Sequence, residues 1–168
     1  MEQNFNQKKS IMQKTIQKSK EFIDLCRGYV LDPDDIPEIM SVEDAFKDLG
    51  HPEGILPDVS MFPEKHQVAL ISTAKMYIVA EALNRDPETG KIWEPDWNNS
   101  DQKKWIPWMD MEVDKNNPSG FRFNVSYYAY VTTLSSGCSR LCYRTKAICE
   151  FAGKHFLDEY KRMMVISK

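Results

Sequence analysis

The chain has 168 residues, 42% of them apolar and 28% charged, with a formal net charge of −3. That length supports one domain with a genuine core, and the balance is that of a globular protein rather than a disordered or fibrous one. No apolar run approaches the roughly 18 residues of a membrane span, and no hydrophobic segment follows the first charges as in a secretory signal. A cytoplasmic location with no membrane association is therefore expected.

Residues from about Lys9 to Gly28 read as an amphipathic helix, with Ile11, Thr15, Phe22 and Leu25 at helical spacing and Gly28 as its C-terminal stop. Residues 1–30 are assigned to this N-terminal helix, which has the option of standing off as an arm, and residues 38–168 to a compact core. The stretch V-L-D-P-D-D-I-P-E-I-M holds two prolines and is expected to be an extended connector. Ser41 then caps a short helix that Gly50 ends. From Glu64 to about Asn84 the sequence is apolar over most of a helical circumference, which predicts the buried central helix.

All four tryptophans, Trp93, Trp97, Trp105 and Trp108, fall in the next segment. Trp93 and Trp97 lie among Pro95, Asp96, Asn98, Asn99, Ser100 and Asp101, turn formers that bond their own backbone and order a loop. Two roles are open to these indoles. They can staple the loop over the core, or one or two of them can line a groove for a partner.

Beyond the loop the period changes from helical to two. Trp105, Met109, Met111 and Val113 are expected on one face of a strand, and Pro107 marks it as an edge or a bulged strand. F-R-F-N-V-S-Y-Y-A-Y-V then alternates, placing Phe121, Phe123, Val125, Tyr127, Ala129 and Val131 on one face of a hairpin partner. Cys138 to Arg144 is expected as a third strand. Thr145 caps one last helix running to about Val165, in which Gly153 implies close packing against the sheet. The predicted fold is α+β: N-terminal helices, then a small antiparallel sheet of about three strands packed by a C-terminal helix.

Chemistry is sparse. Cys26, Cys138, Cys142 and Cys149 contain no C-x-x-C pair, and His51, His66 and His155 are dispersed, so no metal site is expected. Asp96 to Pro107 fails as a calcium loop because its sixth and twelfth positions are Asp101 and Pro107. No dyad or triad pattern argues for catalysis, and no cofactor is implied. The loop Ser135 to Arg140 offers an anion-binding alternative: Ser136, Gly137 and Ser139 supply backbone N–H groups beside Arg140 and Arg144. Cys138 next to Arg140 has the setting of an activated thiolate. Tyr127, Tyr128 and Tyr130 suggest a base-stacking platform, but the acidic run from Asp32 to Glu64 disfavours nucleic acid.

Four stretches in order, P-E-K-H-Q…I-V-A-E-A-L-N, W-E-P-D-W-N-N-S-D-Q-K-K-W-I-P-W, S-S-G-C-S-R-L-C-Y-R-T and E-F-A-G-K-H-F-L-D-E-Y, resemble a group of small proteins encoded by phages, prophages and mobile elements of gut bacteria. The likeness spans roughly Glu38 to Met163 and implies a mobile-element context without any activity. The resulting expectation is a non-enzymatic accessory protein that binds a host or virion protein, as a virion component or an inhibitor of a host defence protein. It would act in the host cytoplasm or within a virion, with homo-oligomerisation open. The alternative is a nucleotide or small-anion binder at Ser135–Arg140.

Overall fold

The computed structural model of the protein describes residues 18–51, 55–111, 113, 120–129 and 139–166. Among them are five helices, α1 (Lys20–Gly28), α2 (Val42–Asp48), α3 (Glu64–Leu83), α4 (Lys146–His155) and α5 (Leu157–Met164). Two strands, β1 (Lys104–Asp110) and β2 (Arg122–Ala129), form one antiparallel hairpin. The α+β class is as expected; the number of strands is not. The segment expected as a third strand starts as a 3-10 turn at Ser139–Leu141, and Thr145 already caps α4. Only Tyr143 is left to pair, as an isolated bridge to Trp105.

α1 begins at Lys20 rather than near Lys9. Ser19 has extended backbone angles, and its Oγ accepts from the Phe22 N–H, so a helix cannot run through it. The expected turns before residue 18 lie outside the described residues. Ser19 also donates its own N–H to the Glu38 carboxylate, which ties the connector to the start of the helix. Phe22 and Cys26, one turn apart, are the fully buried face.

The stop signal assigned to Gly28 sits two residues later. Leu31 donates to the Cys26 carbonyl and Val30 to that of Arg27, a Schellman closure whose left-handed position is Val30 at φ 59°. The same closure ends α2, where His51 donates to Phe46 and Gly50 to Lys47, and there a glycine holds the left-handed position at φ 70°. The α2 cap reads as expected: Ser41 Oγ accepts from Asp44 N–H, and Asp44 returns a bond to Met40 N–H.

α3 packs against α2 and α5, and the hairpin lies across α4. Its buried residues, Ser72, Met76, Val79, Ala80, Ala82 and Leu83, all lie beyond its first two turns. Its first two turns stay exposed or half-covered despite their apolar character, Val68 among them. The expectation of a central buried helix therefore holds beyond the first two turns only.

The last helix is not continuous. Phe156, at φ −98° and ψ 27°, breaks it into α4 and α5. This turn lets α4 bury Ile148, Cys149, Phe151 and Ala152 while α5 crosses to α3 and buries Tyr160. Gly153 explains itself here. A Cβ at that position would fall 2.3 and 2.7 Å from two Phe123 ring carbons, so the hairpin rests directly on the helix backbone.

Two substitutions test these points by calorimetry. Val30 is 91% exposed and makes no buried contact to lose, whereas a left-handed L-residue costs about 1–2 kcal/mol. Val30→Gly should raise the melting temperature by about 1–4 °C, allowing for the extra chain entropy of glycine. Gly153→Ala should lower stability by about 1–2 kcal/mol, because overpacking on Phe123 outweighs the gain in helix propensity of about 1 kcal/mol.

Candidate functional site

The hairpin has one face on the protein body and one open to water, and a bulge decides which residues go where. Trp108 pairs with Val125, but its neighbour Met109 pairs with Phe123, so Asn124 is an extra residue on β2. Side chains alternate along a strand, and one inserted residue shifts that alternation by one. The single face expected for Phe121, Phe123, Val125 and Tyr127 is therefore split. Phe121 and Phe123 turn inward with Ser126 and Tyr128, while Val125 and Tyr127 turn outward. On β1, Trp105, Pro107 and Met109 face in; Met111 and Val113, expected on the same strand face, lie beyond its end at Asp110 and are exposed.

The inner face is held by specific contacts. Ser126 Oγ bonds the Glu150 carboxylate of α4 at 3.2 Å, and Trp105 meets the Tyr128 ring edge-on at 5.2 Å. Tyr128 packs on Trp105 and also stacks on Tyr127, ring centroids 6.0 Å apart, and Tyr130 lies outside the described residues. The outer face carries the cross-strand pairs Ile106–Tyr127 and Trp108–Val125. Trp108 is 58% exposed, Tyr127 57% and Val125 47%. At the far end of this face Arg122 closes on Asp110, with Nη2 2.6 Å and Nε 3.1 Å from Oδ2. Alternation places Val125 and Tyr127, part of this patch, on the same face as Phe121 and Phe123; only the bulge separates them, and nothing in the residue types announces it.

The four tryptophans do not share a groove. Trp105 is in the inner layer and exchanges both backbone bonds with Tyr143. Trp108 stands on the outer face. Trp93 is half-buried and donates its backbone N–H to the Asn84 carbonyl at 3.0 Å. Trp97, also half-buried, lies 5.7 Å over the ammonium of Lys104. The loop between them is ordered by its own side chains, as its composition predicts. Asp96 accepts from Asn98 N–H, Asn99 accepts from Asp101 N–H, and the Gln102 amide clasps Asp96 N–H and the Glu94 carbonyl.

The proposed anion site is not assembled among the described residues. Ser136 and Gly137, with Ser135 and Cys138, lie outside them, and Ser139 opens the 3-10 turn. Arg140 is exposed, its guanidinium 5.8 Å over the Tyr77 ring of α3. Arg144 lies at the end of α3, where its backbone N–H bonds Asn84 Oδ1 and its Nη1 lies 3.9 Å from Asp86 Oδ2. Hydrogen bonds from Thr89, chiefly its backbone N–H, hold the Asp86 carboxyl below the usual range, so Arg144 faces a permanent anion. Among the described residues no group of three or more His, Cys, Asp or Glu side chains is placed to hold a metal ion, and no helix is long and apolar enough to cross a membrane.

No match answers for this chain. It fits no protein-family model, and searches of curated proteins and of solved structures return none. Function has to be argued from the site itself.

Cys26, Cys142 and Cys149 are all buried. Burial pushes the Cys26 and Cys149 thiols up from their ordinary range, which keeps them protonated and inert. A thiol reagent at neutral pH should leave these three unmodified in the native protein and modify them on unfolding, as followed by intact and peptide mass spectrometry. Any rapid native-state labelling should map to Cys138.

Proposed function

We propose that this protein acts without catalysis, by binding a partner protein through the outer face of the hairpin. The observation that carries this is the contiguous quartet Ile106, Trp108, Val125 and Tyr127. Scattered exposed apolar residues are ordinary on any surface, but two adjacent cross-strand pairs that include a tryptophan and a tyrosine form a patch. These are the side chains that most often dominate binding energy, because each removes a large rigid area from water at small entropic cost. The patch has a rigid backing, since Phe123 and Ser126 fix the opposite side of the ribbon to α4. The sequence resemblance supplies the context: a mobile-element accessory protein whose partner is a host defence protein or a component of a virion.

Affinity capture from host cells, followed by titration of the captured protein, tests this. Trp108→Ala and Tyr127→Ala should each weaken binding at least tenfold, about 1.4 kcal/mol or more. Their melting temperatures should stay within a few degrees of the parent, because both side chains are mostly in water. Trp105→Ala, on the inner face, should instead destabilise the fold. Undiminished binding by a Trp108→Ala, Tyr127→Ala double variant would remove the outer face from consideration.

A further inference from the structure

One cation on the same face is fully buried without a carboxylate beside it. Lys104 is two residues along β1 from Ile106 and four from Trp108, so it shares their face by strand alternation. Unlike them it is fully buried, at 0% exposure. Its ammonium is met by two residues of the loop from Trp93 to Lys103. The Lys104 ammonium donates to the Asn99 carbonyl at 2.7 Å and sits beneath the Trp97 ring. Among the described residues every ion pair involves some other cation, and none gives Lys104 a carboxylate. One carbonyl and one ring face are a poor exchange for the hydration of an ammonium with three donors. The loop is itself lightly held: residues 98–101 are exposed, and its closure rests on the Gln102 clasp and two half-buried indoles.

We propose that the loop Trp93–Lys103 is a lid over Lys104, and that the partner is recognised by an extended acidic segment. When the lid opens, a carboxylate of that segment takes the place of the Asn99 carbonyl on the Lys104 ammonium. Apolar side chains on alternate positions of the segment then meet Ile106, Tyr127 and Trp108. A free cation at one end of an aromatic strip selects for this combination of charges and spacing. The proposal rests on the outer face being the binding surface, but the lid is testable without any partner.

The first arm is competitive amine acetylation of the full chain, read residue by residue by mass spectrometry. Lys104 should react at least tenfold more slowly than Lys103 in the parent. Trp97→Ala, and separately Gln102→Ala, should raise its rate at least tenfold while leaving the rates at Lys91 and Lys161 unchanged. Equal rates at Lys103 and Lys104 in the parent, or no acceleration in a Gln102→Ala variant with an unchanged melting temperature, would overturn the lid. The second arm titrates an eight-residue peptide alternating Asp and Leu, and its Asn–Leu counterpart. The acidic peptide should bind at least tenfold more tightly to the parent and without preference to Lys104→Met. Equal binding of both peptides to the parent would overturn the carboxylate anchor. If instead the acidic peptide keeps its preference and is indifferent to Trp108→Ala, the outer face fails as the surface while the lysine anchor stands.

Discussion

The structure depends on one side-chain amide. Asn84 ends α3, and its Nδ2 donates to the Cys142 carbonyl at 2.8 Å while its Oδ1 accepts from Arg144 N–H at 2.9 Å. It therefore stands in for a neighbouring strand along one side of residues 142–144. The other side of the same short segment is the two-way bridge between Tyr143 and Trp105. Through three residues the long helix is joined to the hairpin, and the Asn84 carbonyl extends the join to Trp93 at the root of the lid. The site is almost fully buried, so each lost bond would leave a desolvated backbone group at a cost of about 1–3 kcal/mol. Below it, the hydroxyls of Tyr143 and Tyr160 meet at 2.8 Å, linking the same segment to α5.

That junction explains what the sequence reveals and what it withholds. Local signals were legible because local physics sets them: the Ser41 cap, the Glu64–Leu83 helix, the Thr145 cap and the Asx turns of the tryptophan loop. The role of Gly153 was legible too, since an otherwise unfavourable glycine in a helix needs a close neighbour, and Phe123 is that neighbour. That the segment expected as a third strand would not form one was not legible. Leu141 to Tyr143 look like a strand in isolation, but the partner of this segment is an asparagine 58 positions away. Similarly, Ser19 interrupts an apolar periodicity that runs on either side of it, and periodicity alone cannot weigh a cap against a continuing turn.

The candidate surface was half legible. Tryptophan enrichment marks the segment that holds part of the proposed surface, yet the four side chains have four different duties, and of the four only Trp108 stands mostly in water. Lys104 gave no sign at all. A lysine beside another lysine at the start of a strand reads as solvated, and its ammonium meets Asn99 and Trp97 because the loop folds back. Arg144 shows the converse, a cation in an attractive motif that the fold spends on Asp86. In each case the decisive fact is which neighbour the backbone path delivers, and composition does not carry it.

The bulge at Asn124 has a consequence for how such a surface arises. Every residue of β2 on the Tyr127 side of the bulge faces outward or inward according to the parity of the residue count, and a single extra residue sets that parity. The exposed apolar strip is therefore encoded less by which amino acids are present than by how many lie between Phe123 and Val125. A change of one codon in length, with no side chain altered, can convert a buried hydrophobic layer into a recognition surface or hide it again. Such a change would also turn Ser126 and Tyr128 away from Glu150 and Trp105, so the contacts of the inner face are what hold the present parity in place.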